Sequence, residues 1–69
     1  MQTEVLFTVE ELPEGGLLAR ALGYGIVVQA ESTVELPALV RDAVSCHFDA
    51  DDKPKLIRLH FVRDEVFAA

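Results

Sequence analysis

The sequence is poor in cysteine, in aromatic residues and in positive charge. Cys46 is the one cysteine among 69 residues, so a disulfide within the chain is excluded. Six Lys and Arg residues stand against 12 Asp and Glu residues, which gives a formal net charge of −6. This balance repels nucleic-acid phosphates and favours basic partners. Aromatic residues, at 7%, offer few rings for stacking on bases.

Long apolar runs are also missing. No segment approaches the roughly 20 apolar residues that cross a bilayer, and residues 1–4 lack the basic start and apolar run of a signal peptide. We therefore expect a cytoplasmic protein with no membrane partner. A chain of 69 residues forms one domain, over 1–69, near the lower size limit for a self-sufficient core. With 51% apolar residues, it is expected to gain stability by association with a second copy or another protein.

Apolar residues alternate along the first part of the chain, which predicts three strands at residues 4–10, 17–22 and 26–30. Pro13 and the pair Gly15-Gly16 predict a wide turn after the first strand. Gly23 and Gly25 predict a second turn. Because both connections are short, the three strands form an antiparallel meander.

A single amphipathic helix is predicted next. Ser32 and Glu35 have the spacing of a capping box, so the helix is expected to open at Ser32. Pro37 removes one amide and predicts a loosened first turn. One stripe collects the apolar residues and one histidine: Leu36, Leu39, Val40, Ala43, Val44 and His47. An acidic loop follows at residues 49–54.

The last strand is predicted at residues 55–62, with Ile57, Leu59 and Phe61 on the core face. The chain is therefore an α+β domain of order β-β-β-α-β. A right-handed crossover places the last strand parallel to the first, in a four-stranded mixed sheet of order 3-2-1-4 with the helix on one face. The open face is the candidate interface and presents Leu6, Thr8, Leu18, Arg20, Leu56, Arg58 and His60.

Two groups of potential metal ligands occur in the sequence. Cys46 and His47 are adjacent in a helix, so they point about 100° apart, and a packing role fits better than a metal site or a nucleophile. The acids at 49, 51 and 52 resemble the start of a calcium loop. Its sixth and twelfth positions would be Pro54 and His60, where that loop needs Gly and Glu. A solvated acidic loop is favoured, and no catalytic, metal or cofactor site is predicted.

Arg20, Arg58 and His60 could form a basic patch for an acidic ligand or RNA. Interleaved aromatic residues are expected at a nucleic-acid site, and only Tyr24 lies nearby. Leucines alternate with these charges, which favours a subunit or partner interface.

Several short motifs together resemble the solitary HicB-like antitoxin domains over nearly the full length. They are residues 14–16 before a strand, 30–32 before the helix, 35–36 and 40–44 within it, and the closing strand at 57–61. The resemblance implies a degraded ribonuclease H-like fold of β-β-β-α-β order that associates as dimers or tetramers. It also implies a non-enzymatic, protein-binding antitoxin that covers the active site of a small basic mRNA-cleaving toxin.

The chain departs from that family in two places. Many members carry a DNA-binding domain after the last strand, whereas residues 63–69 form only a short tail, so no direct DNA binding is expected. Residues 23–25 replace a longer connection between the second and third strands. A stand-alone homo-oligomer that binds a small ligand or another partner, without a toxin, is therefore the alternative. Nuclease activity is not expected, because the acids lie at strand ends and in loops rather than converging on two metals.

Overall fold

Four strands and one helix follow one another in the predicted β-β-β-α-β order. A computed structural model describes residues 3–69. The strands are β1 (Glu4–Glu11), β2 (Leu17–Ala21), β3 (Val27–Ala30) and β4 (Leu56–Val62), and the helix is α1 (Leu36–His47). The predicted α+β class is confirmed, and each strand boundary lies within one residue of its prediction.

The strands form one mixed sheet of order β3-β2-β1-β4, as predicted. β1 pairs antiparallel with β2, and β2 pairs antiparallel with β3. On its other side β1 pairs with β4 in parallel, with Val5 opposite Ile57 and Val9 opposite Phe61. The crossover through α1 supplies the long connection that a parallel pair needs.

Two glycines shape the turn between β1 and β2. Gly15 and Gly16 have φ values of 101° and 92°, which L side chains rarely adopt. The Leu12 N–H donates to the Gly16 carbonyl, and the Gly15 N–H donates to the Leu12 carbonyl, both at 3.0 Å. A Cβ on Gly16 would also lie 3.1 Å from the Ala30 carbonyl oxygen of β3. The turn therefore needs glycine most strongly at position 16.

The core lies between the sheet and one stripe of α1. Alternate residues of the first three strands supply its sheet side, and the largest of them, Phe7, is fully buried. α1 contributes Leu36, Val40 and Val44, spaced four residues apart on one face. The predicted stripe was too wide: Leu39 is partly exposed and His47 is exposed. Burial of this sheet face leaves the opposite face as solvent-facing surface.

The start of the helix differs from the prediction. α1 begins at Leu36, with Glu35 as its N-cap and no side-chain capping hydrogen bond, so the capping box at Ser32 is wrong. Instead, a Glu35 carboxylate oxygen accepts a 2.6 Å hydrogen bond from the Glu31 N–H. The later start places Pro37 in the first turn. Backbone N–H groups there have no acceptor within the helix, so the missing N–H of Pro37 costs no hydrogen bond.

The first helical hydrogen bond is formed but long. It runs from the Leu39 N–H to the Glu35 carbonyl at 3.3 Å. Within residues 3–69, no helix has the length and apolar character needed to cross a bilayer.

The prediction that β4 faces the core is only partly correct. Ile57 and Leu59 are half-buried, but Phe61 is 52% exposed. All three lie on the helix side, since they pair with Val5, Phe7 and Val9. α1 comes closest to the backbone of β3, at the other edge of the sheet, and β4 is incompletely covered.

Candidate functional site

The sheet face that points away from α1 is the candidate functional surface, called the outer face below. It carries all seven residues predicted for an interface, because they alternate with the buried residues of β1 and β2 or pair with β1 from β4. Some are half-buried by their neighbours in the sheet: Leu6, Thr8 and Leu18. The others are exposed: Arg20, Leu56, Arg58 and His60.

Strand register brings these residues together in rows across the sheet. Thr8 lies between Arg20 of β2 and His60 of β4. Leu6 lies beside Arg58. Residues directly opposite each other on one face have Cβ atoms about 4.5–5.5 Å apart, so each row forms a continuous strip. The result is a surface on which apolar and charged side chains alternate.

An ion pair joins β1 to β4 on this face. Arg58 Nε donates to Glu4 Oε1 at 2.9 Å, and Arg58 Nη2 lies 2.9 Å from the same oxygen. The pKa of Arg58 is raised above its ordinary value, mainly by the hydrogen bond to Glu4 and secondly by the negative charge of that carboxylate. Arg58 is therefore a permanent cation already engaged by an acid, and less able to serve as a free anion-binding group.

The apolar part of the outer face is wider than the seven predicted residues. Leu56 is 61% exposed, and Val27 and Val62 are also exposed. Val27 pairs with Arg20, and Val62 pairs with Glu10, which places both on the same face. Strand alternation was the signal that could have added them to the predicted surface.

A basic patch of Arg20, Arg58 and His60, which the sequence already disfavours against an interface, is interrupted by other groups on the folded chain. Arg20 and His60 lie on opposite sides of Thr8, and Arg58 is paired with Glu4. Acidic residues of β1 share this face, because Glu4 and Glu10 alternate with the buried residues of the strand. A mixed-charge surface of this kind fits a protein partner better than a phosphate backbone.

An aromatic cluster closes the end of α1, and sequence patterns did not predict it. The rings of Tyr24, His47 and Phe48 meet edge to face, with centroids 4.9–5.8 Å apart. Tyr24 belongs to the turn between β2 and β3, so the cluster ties that turn to the helix end. This packing explains the position of His47, while Cys46 beside it is exposed.

The acids do not gather into a metal site within residues 3–69. No group of three His, Cys, Asp or Glu side chains there could hold an ion. In the loop after α1, the Asp52 N–H donates to the Asp49 carbonyl at 3.0 Å, which makes a turn of this acidic segment. The absence of a catalytic or metal site stays a prediction.

Two relatives define the family of this chain. A UPF0150 protein of Archaeoglobus fulgidus is 52% identical over 52 residues, which cover 75% of this chain and 77% of that protein. A UPF0150 protein of Thermotoga maritima is 36% identical over 67 residues, which cover 97% and 94%. No family model matches the chain, and no solved structure is significantly similar to it. Similarity at this level over most of both chains shows that the chain belongs to the UPF0150 protein family.

Proposed function

We propose that this chain is a non-enzymatic, HicB-like protein-binding domain that acts in the cytoplasm. In this proposal its outer face binds a small basic mRNA-cleaving toxin and blocks its active site. The chain needs no metal or cofactor for this role and does not bind DNA directly.

One observation carries the proposal: a sheet face with large apolar side chains and no covering layer in the described chain. Val27 and Leu56 are each more than half exposed on it. Exposed apolar residues rimmed by polar ones mark protein-interaction surfaces. Glu4 and Glu10 on the same face, together with a net charge of −6, complement a basic partner.

The HicB-like assignment is supported by the order of elements. The glycine turn joins β1 to β2, and the motif residues at 35–36 and 40–44 lie at the start and in the middle of α1. The closing motif at 57–61 lies in β4, beside β1. These positions agree with the element order that the HicB-like resemblance implies, and this agreement supports the proposal.

The test is an mRNA-cleavage assay with the purified small basic protein encoded next to this chain. Addition of the wild-type chain is expected to stop cleavage. Val27→Glu, which puts a charge on the outer face at β3, is expected to weaken inhibition about tenfold or more, as for an apolar residue that contributes strongly to binding. Val34→Glu is the matched control, because Val34 is also exposed but precedes α1, away from the outer face.

Absence of a small basic neighbour, or continued cleavage with the chain in excess, would rule out the antitoxin role. Equal inhibition by both variants would rule out the outer face as the binding surface.

A stand-alone homo-oligomer, binding a small ligand or another partner without a toxin, is the second candidate. It is favoured by the mixture of signs on the outer face, where Arg20 and Glu10 lie on neighbouring strands. A surface with both signs can be complementary to a second copy of itself. A dimer or tetramer by light scattering at micromolar concentration, with no inhibition of the neighbouring protein, would select this candidate.

A further inference from the structure

A groove with an apolar floor and basic rims runs between α1 and β4, on the helix side of the sheet. Val40 of α1 and Ile57 and Leu59 of β4 contribute its floor. Its rims carry positive charge from Arg41, Lys53 and Lys55. These are three of only six Lys and Arg residues in an acidic chain. The groove is therefore a local site for an acidic segment that also carries apolar side chains.

The outer edge of β4 has no strand beside it in the described chain. β4 is the last strand in the order β3-β2-β1-β4, so its second row of backbone N–H and C=O groups has no ladder partner there. It is seven residues long, against four for β3 at the other edge. No proline or bulge interrupts it, and a long apolar edge strand of this kind favours pairing with another chain.

The segment after β4 is complementary to the groove in charge and is also partly apolar. Asp64 and Glu65 supply negative charge, and Val66 and Phe67 are 94% and 82% exposed. These two apolar side chains make almost no contact with the rest of the chain. An acidic pair followed by an apolar pair is complementary to a groove with basic rims and an apolar floor.

We propose that two copies of this chain pair through antiparallel β4 strands, and that residues 64–67 of each copy bind in the groove of the other. Antiparallel pairing runs the chain that follows Val62 past the residues that precede Leu56 of the second copy. The segment that carries Asp64 and Glu65 thereby runs alongside Lys53 and Lys55. The two strands make a continuous eight-stranded sheet, and the interface is the same on both copies.

Side-chain alternation places the apolar residues correctly for this arrangement. Phe61 lies on the helix side of β4, where the groove is. If the following residues keep the alternation of a strand, Glu65 and Phe67 lie on that same side. Glu65 then approaches the basic rim, and Phe67 continues toward the α1 side of the groove.

A second copy fits better than the chain's own segment because of where that segment begins. Asp64 lies beside Glu10, Glu11 and Leu12, near the end of β4. The basic rim lies before the start of β4, at Lys53 and Lys55. Within one copy the segment would have to reverse direction immediately, whereas an antiparallel neighbour presents its groove directly ahead.

The test is a charge exchange in the full chain, followed by sedimentation equilibrium in low salt. Variant one is Lys53→Glu with Lys55→Glu, and variant two is Asp64→Lys with Glu65→Lys. The wild-type chain is expected to be a dimer with a dissociation constant in the micromolar range. Each double variant is expected to weaken self-association by about tenfold or more, because each reversal acts twice in a symmetric dimer.

Two complementary samples separate a specific contact from a general charge effect. An equimolar mixture of the two variants is expected to form a heterodimer with near wild-type affinity, since acidic groove meets basic segment and basic groove meets acidic segment. The chain with all four reversals is expected to regain self-association. The net charge changes from −6 to −10 in variant one but to −2 in variant two, so general repulsion would weaken only the first.

A wild-type monomer at about 100 μM, well above a micromolar dissociation constant, would overturn the proposal. So would a mixture that associates no better than the separate variants. Val27→Glu on the outer face is expected to leave this dimer intact. The β4 dimer and toxin binding by the outer face can therefore fail independently of each other.

Discussion

β1 and β4 are neighbouring parallel strands with the same alternation of apolar residues, yet they differ in burial. Val5, Phe7 and Val9 of β1 are at most 1% exposed. Of their partners in β4, Ile57 and Leu59 are half-buried and Phe61 is exposed. The difference shows that alternation selects the face of a strand, while burial depends on its place in the sheet and on what lies above it.

The two strands also differ in their backbone partners. β1 forms ladders with β2 on one side and β4 on the other, so both of its edges are satisfied. Among residues 3–69, β4 has one ladder, to β1, and it is covered incompletely by α1. The central strand therefore stabilises the fold, and the edge strand is the part with surface left for association.

The largest effect is expected from Phe7→Ala compared with Phe61→Ala. Phe7 is fully buried, so its truncation is expected to cost about 3–5 kcal/mol of unfolding free energy through lost burial and a cavity. Phe61 is half exposed, and its truncation is expected to cost about 1–2 kcal/mol. Urea denaturation at low protein concentration measures both; equal losses would contradict the difference in cover.

A smaller effect is expected where β1 turns into β2. Gly16→Ala forces a Cβ toward the Ala30 carbonyl at an unfavourable φ, so a loss of about 2–3 kcal/mol is expected. Gly15→Ala is the matched control, because its φ is also positive but no atom lies within 4 Å of the added Cβ. A loss of about 1 kcal/mol is expected there. Thermal unfolding compares the two, and a larger loss at position 15 would refute the role of the carbonyl contact.

The smallest effect is expected from the ion pair that links the two strands. Glu4 and Arg58 are both solvent-accessible, so their pairing is expected to add little to stability. A double-mutant cycle with Glu4→Gln and Arg58→Gln isolates the coupling from each residue's other contacts. The coupling should shrink further in 1 M salt, where screening is strong. A large, salt-independent coupling would show that β4 is held by its side chains more than by its ladder.

Periodicity was sufficient to predict the sheet. Period-two alternation gave the four strands, and short connections with one crossover gave the order β3-β2-β1-β4. The helix start was mispredicted because local capping propensity at Ser32 competed with the preference of Pro37 for the first turn. The close approach of α1 to β3 depends on packing between distant residues, which no short window of sequence contains.

Period-two alternation also predicted the residues of the candidate surface. Once strand order is known, alternation assigns Leu6, Leu18 and Arg58 to the outer face. The pairing of Arg58 with Glu4 needed the parallel register, which shifts with a single residue of slip. The groove between α1 and β4 could not be predicted at all, since it exists only because the helix lies toward the opposite edge.

The register of Thr8 has a consequence for how the chain folds. Thr8 pairs with Arg20, 12 residues later, and with His60, 52 residues later. By loop-closure entropy the second contact costs about 1.3 kcal/mol more to form than the first. The hairpin is therefore expected to close early and the crossover late. During that interval one side of the central strand stays open to strands of other molecules.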